Sequence, residues 1–257
     1  MPANPASAAA SASLSGLRSG RIPALDIARS AALGAMVLFH FVFDLELFGH
    51  LPSGTTTQPG VWRALAVATA GSFLFLAGAG LWLAHGGGIR WPAFWRRFAI
   101  IAAAAAAVTA GTYVAVPDAF VFFGILHSIA LCSLLGLAVL RLPIAVIAVL
   151  AVTVFFAPDV ARSDVFNAPW FWWTGLQTMP LRTVDYEPIF PWFAPFLAGI
   201  AMAKLASQSG VLAAFTTDSP GRAARLAGLP GRHSLIIYLL HQPVLIGLVW
   251  TATQLLL

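Results

Sequence analysis

Residues 25–48 read LDIARSAALGAMVLFHFVFDLELF. Asp26 and Arg29 open the stretch, His40, Asp44 and Glu46 lie in its second half, and nothing ionisable stands between Arg29 and His40. A helix rises about 1.5 Å per residue, so roughly 20 apolar residues cross the ~30 Å hydrocarbon core of a bilayer. This stretch has that length, and it lacks the polar stripe of a helix that faces water. Working outward, six more stretches fit the same description: 62–85, 95–116, 119–140, 142–157, 188–207 and 233–256. Leu142-Pro143 parts the fourth from the fifth, and the fifth is the shortest. The expected fold is therefore all-α, a membrane protein of about seven transmembrane helices.

Composition agrees. Of 257 residues, 60% are hydrophobic and 9% charged, against roughly 25% charged in a soluble domain. Too little polar surface exists to face water all round, so lipid is the expected solvent and partner. Residues 1–20 are rich in Ala, Ser and Gly and lack the apolar core of a secretory signal. They are expected to be a disordered cytoplasmic tail before one transmembrane domain over 21–257. The lone cysteine, Cys132, excludes an internal disulfide. The net charge is +5, but the basic residues sit at helix ends rather than in one patch, which argues against a nucleic-acid partner.

Those basic residues orient the chain. Cytoplasmic loops carry the excess of Lys and Arg. With seven crossings and the N-terminus inside, 11 of the 14 basic residues fall inside: Arg18, Arg21, Arg29, Arg90, Arg96, Arg97, Arg141, Lys204, Arg222, Arg225 and Arg232. Arg63, Arg162 and Arg182 fall outside. The N-terminus is thus expected in the cytoplasm and the C-terminus in the periplasm. The longest outer segment, 158–187, carries Trp170, Trp172 and Trp173 and is expected to be interfacial or re-entrant.

Ionisable residues inside a span are costly and mark candidate sites. His40 and Asp44 share a face of the first helix at i,i+4 spacing, which suits a general base oriented by a carboxylate. His127 enters the fourth helix from the same side, and His40 and His127 at one depth would line one pocket. His241 and Gln242, beside Pro243 in the last helix, line a cavity or join helices. Asp26 and Arg29 form an i,i+3 pair whose guanidinium suits an anionic ligand. His50 reads as a solvated loop histidine, and His85 and His233 as surface residues at helix ends. Gly78 and Gly80 read as close-packing residues, with passage of a ligand between helices as the lesser reading. No Walker loop, dinucleotide fingerprint, CxxC pair or HExxH motif occurs, so no metal is expected, nor a haem on His40, His127 and His241.

Five motifs together resemble a known family: Arg21-Ile22-Pro23-Ala24-Leu25-Asp26-Ile27-Ala28-Arg29 with Met36 to Phe41 and Asp44; Phe73 to Gly78; Gly124 to Ala130; Phe190-Pro191-Trp192 through Gly199; and Gly231 to Pro243. In order and spacing they are similar to the bacterial heparan-α-glucosaminide N-acetyltransferase catalytic-domain family. The resemblance implies a transmembrane acyltransferase of a bacterial inner membrane, with acetyl-CoA or another acyl-CoA as co-substrate. The namesake enzyme acetylates a glucosamine amine across the membrane and needs a histidine near the outer end of its first helix. Counted from Asp26 and Arg29, that histidine falls near His50, whereas the position of His40 is a polar amide in the namesake. The catalytic histidine is therefore His40 or His50.

The sequence departs from the namesake in lacking its lumenal domain and several helices, so an envelope saccharide or glycolipid is the expected acceptor. On this reading Arg29 with Asp26, Arg96 and Arg97 hold the CoA phosphates. His40, Asp44 and His127 act in transfer, and His241, Gln242, Asp185 and Tyr186 meet the acceptor. A homodimer is compatible with the sequence. The alternative is a lipid or small-solute carrier or flippase that uses the same polar pocket without chemistry.

Overall fold

The computed structural model describes residues 22–216 and 221–256, and the expected tail over 1–20 lies outside them. The described chain is helical: α1 (Pro23–Leu47), α2 (Val61–His85), α3 (Trp91–Ala115), α4 (Ile125–Val139), α5 (Ile144–Ala161), α6 (Ile189–Gln208), the short α7 (Val211–Phe215), α8 (Arg222–Ala227) and α9 (Leu229–Arg232), and α10 (Ser234–Leu256). Among the described residues six helices are long and apolar enough to cross a membrane: α1, α2, α3, α5, α6 and α10. Pro23 opens α1 behind an extended Ile22, the position where a missing N–H costs least.

Two expectations need correction. The fifth stretch is an 18-residue helix, and the short one is the fourth, whose helix has 15 residues. Residues 119–124 are not helical beyond a 3-10 turn at Pro117–Ala119. The aromatic run Phe120 to Phe123 is instead irregular, bent at Phe122, with a parallel bridge between Phe123 and Tyr186. Val184 N–H donates to Ala119 O (2.9 Å) and Glu187 N–H to Phe123 O (3.2 Å). Thr183 Oγ1 donates to Phe120 O (2.8 Å) and Thr109 Oγ1 to Val121 O (2.7 Å). Apolarity alone does not separate a helix from a strand-like run whose partners lie far along the chain.

The described residues divide into two compact units, Leu74–Ala214 and a second made of residues 22–73 with 215–216 and 221–256. In the first, α5 packs along α6, and α4 packs on α3 and α6. A Cβ on Gly78 would lie 2.0 Å from Phe196 O, and one on Gly199 2.0 Å from Phe75 O. The close-packing reading of Gly78 therefore holds on the face turned to α6. Contacts climb together along α2, α4 and α6. Gly78 meets Phe196 while Trp82 Nε1 donates to Ser207 Oγ (3.3 Å). Ser128 Oγ donates to Glu187 O near the start of α6, and Lys204 Nζ donates to Leu140 O (3.3 Å) and Leu142 O (2.7 Å) near its end. These three helices run parallel. Segment 158–187 holds 3-10 turns at Asp164–Asn167 and Pro169–Phe171 and no spanning helix. It turns back at Gly175, whose φ of +85° and whose approach to Phe190 O exclude a side chain.

In the second unit, α10, α8 and α9 pack on α1. Arg232 meets Asp26, His241 meets His40, Gln242 meets Asp44, and His50 meets Thr253. The pairs advance in the same direction along both segments, so α1 and α10 run parallel.

Candidate functional site

The polar residues of α1 and α10 gather at three levels. At the N-terminal end of α1, Asp26 is 9% exposed and receives two guanidinium groups, Arg29 Nη1 on Oδ1 at 3.4 Å and Arg232 Nε on Oδ2 at 3.2 Å. Gly231 N–H donates to Ser30 Oγ (2.8 Å), and a Cβ at Gly231 would lie 1.9 Å from Asp26 O. Glycine is required there for α9 to lie against α1. Arg232 Nη2 is buried without a hydrogen-bond partner among the described residues. The expected Asp26–Arg29 pair is present, and Arg232, read from sequence only as a topology signal, completes it.

Fourteen residues further along α1, His40 Nδ1 lies 3.0 Å from Met36 O and 3.3 Å from His241 Nε2. The two rings meet edge to face with centroids 4.8 Å apart. His241 Nδ1 lies 2.6 Å from Tyr238 O. One proton arrangement satisfies all three contacts. His241 Nδ1–H donates to Tyr238 O, and His40 Nδ1–H is shared between Met36 O and His241 Nε2. His40 Nε2 then carries the lone pair, as a general base requires. Asp44 is fully buried, which excludes a solvated role, and it does not orient His40 as its spacing suggests. Its Oδ1 accepts from Gln242 Nε2 at 2.7 Å.

At the far end of α1, His50 is exposed and its Nε2 lies 2.7 Å from Thr253 Oγ1. The loop carrying it is clasped by Glu46, whose carboxylate accepts from Gly54 N–H (2.5 Å), Thr56 N–H (2.8 Å) and Thr56 Oγ1 (2.6 Å). Sequence reading missed this clasp, because an acid at a helix end looks merely solvated. The Gly54 and Thr56 that follow were the available signal.

The remaining candidates belong to the first unit. His127 accepts from Gly124 N–H at Nδ1 (3.3 Å), and its Nε2 lies 3.2 Å from Thr109 Oγ1. Thr109 in turn donates to Val121 O, so both ring nitrogens brace the start of α4. Asp185 caps the same helix by accepting from Ile125 N–H (3.2 Å). The Tyr186 hydroxyl donates to Trp172 O (2.6 Å), and burial pushes its pKa up to about 12. Arg96 and Arg97 are exposed on the first turns of α3. His85 is buried rather than at the surface, 4% exposed, and accepts from Arg90 N–H at 3.2 Å.

Fold and site together define a polytopic helical membrane protein with a half-buried imidazole pair between parallel helices. The family described as heparan-alpha-glucosaminide N-acetyltransferase, catalytic, matches residues 21–243, and the chain belongs to that family. It is an N-acetyltransferase family, which places the chain among membrane acyltransferases. No curated protein and no solved structure matches the chain.

Proposed function

We propose that this chain transfers an acetyl or other acyl group from acyl-CoA to a hydroxyl or amine of an envelope saccharide or glycolipid, in a bacterial inner membrane. The observation that carries this reading is the His40–His241 pair, which lies within the family-matched residues and leaves His40 Nε2 basic. His40 Nε2 takes the proton of the acceptor as its oxygen or nitrogen attacks the thioester carbonyl. The carbon–sulfur bond breaks, a carbon–oxygen or carbon–nitrogen bond forms, and the departing CoA sulfur takes the proton from the imidazolium. Arg29 and Arg232 offer guanidinium groups to the CoA phosphates. Asp26 to His40 is about 21 Å of helix rise, a separation suited to a donor whose phosphates and acyl end are joined by a long arm.

The reading includes seven crossings, with the N-terminus cytoplasmic and the C-terminus periplasmic. Successive crossings alternate in direction, so the parallel course of α1 and α10 supports an odd count. Six crossings would set α10 antiparallel to α1. Counting α4 gives seven, and its parallel course beside α6 supports counting it.

The test is purified protein in lipid with radiolabelled acetyl-CoA and amino-sugar or polyol acceptors. Transfer is expected, and His40→Ala should lower it by roughly 10²–10⁴-fold without loss of helicity. Full transfer by the folded variant would remove His40 from the chemistry. A preparation that moves lipid or solute but never consumes acetyl-CoA would favour a carrier.

A further inference from the structure

Asp44 and Gln242 share one hydrogen bond and hold two buried atoms that lack one. Gln242 Nε2 donates to Asp44 Oδ1 at 2.7 Å. Asp44 Oδ2 and Gln242 Oε1 are both buried without a hydrogen-bond partner among the described residues. An ionised carboxylate oxygen and an amide oxygen are both acceptors, so neither can serve the other. Asp44 has 0% exposure and no cation within ion-pair distance among the described residues. A bare carboxylate in such a place, inside a spanning helix, is strongly disfavoured. A single proton on Oδ2 can remove both defects, because it turns that oxygen into a donor while the amide oxygen is the acceptor left unmatched on the same bonded pair.

We propose that Asp44 is a neutral carboxylic acid in the resting protein and forms a closed acid–amide pair with Gln242, Oδ2–H donating to Oε1 while Nε2–H donates to Oδ1. The pair pins α1 to α10 one turn beyond His40 and so fixes the height at which His40 meets His241. Resting on the acyltransferase reading, this makes Asp44 a positioning residue that sets the imidazole pair through the helix register. It is not the negative charge that raises the basicity of His40.

The Asp44→Asn variant separates the two roles. Its side-chain amide closes the same two hydrogen bonds with Gln242, whereas it can supply no negative charge. Infrared spectra of the full chain in lipid at neutral pH should show a protonated-carboxyl carbonyl band that shifts in heavy water and is missing from Asp44→Asn. Asp44→Asn should melt with the wild type, and it should rescue most of the acyl transfer that Asp44→Ala loses, about a hundredfold on the scale of a misplaced catalytic group. A wild-type spectrum without the acid band overturns the proposal. So does a folded Asp44→Asn protein as impaired as Asp44→Ala. The infrared and melting results hold whatever reaction the protein catalyses, so a failure of the acyltransferase reading is told apart from a failure of this one.

Discussion

Tyr186 shows how a side chain that looks like a ligand-binding group can be bound to the fold. Its hydroxyl donates to Trp172 O at 2.6 Å and lies 3.1 Å from Gln177 Oε1. Its pKa, pushed up to about 12 by burial, exceeds the usual value of about 10. The folded state therefore keeps the proton longer than the unfolded chain does. The stability this contributes is present below about pH 10 and is lost as the pH rises through about 12. In an alkaline melting series the wild type should lose more stability over that window than Tyr186→Phe, and matching slopes would deny the burial effect. Asp44 was legible in the sequence because a carboxyl in an apolar stretch is conspicuous. Its partner was not: local spacing pointed to His40, but the bond goes to Gln242, 198 residues away. Spacing along one helix reports which residues share a face and is silent about what the facing helix brings.

Elements were legible wherever apolar length decided them. Six stretches became long helices within a few residues of their expected ends. The fourth did not, because Phe120 to Phe123 obey a pairing with 183–187 that hydropathy does not register. The contact between α2 and α6 was legible in kind, since small residues on an apolar helix imply close approach. Its tightness came only with the geometry. Gly78→Ala would press a methyl against the Phe196 backbone, 2.0 Å from its carbonyl oxygen, and backbone has little room to yield. It should destabilise the protein by about 1–3 kcal/mol. Gly34→Ala on α1 meets nothing within 4 Å and should be neutral or slightly stabilising, because alanine suits a helix better. Equal melting of the two variants in detergent would contradict the tight crossing.

For the whole molecule the question is how many times the chain crosses. Fifteen residues of α4 rise only about 22 Å, less than the ~30 Å core. The residues that lead into it are irregular, a 3-10 turn at Pro117–Ala119 followed by a bend at Phe122. Irregular backbone is tolerated at such depth only where protein satisfies it, and Thr109, Thr183, Asp185 and the 184–187 backbone do so here. An alkaline phosphatase fused after residue 257 should be active, reporting a C-terminus outside the cell, and a fluorescent protein there should stay dark. The opposite pair of results would put the C-terminus in the cytoplasm and overturn that orientation. The same pairing constrains how the molecule is made. The lead into α4 takes its partners from residues some sixty positions later: 60 for Ile125 with Asp185 and 63 for Phe120 with Thr183. A nascent chain stopped short of residue 183 would carry α4 with its leading carbonyls unanswered. Biosynthesis therefore runs out of step with assembly. α5 has to emerge, and the Trp-rich hairpin has to follow it, before the helix ahead of them can come to rest.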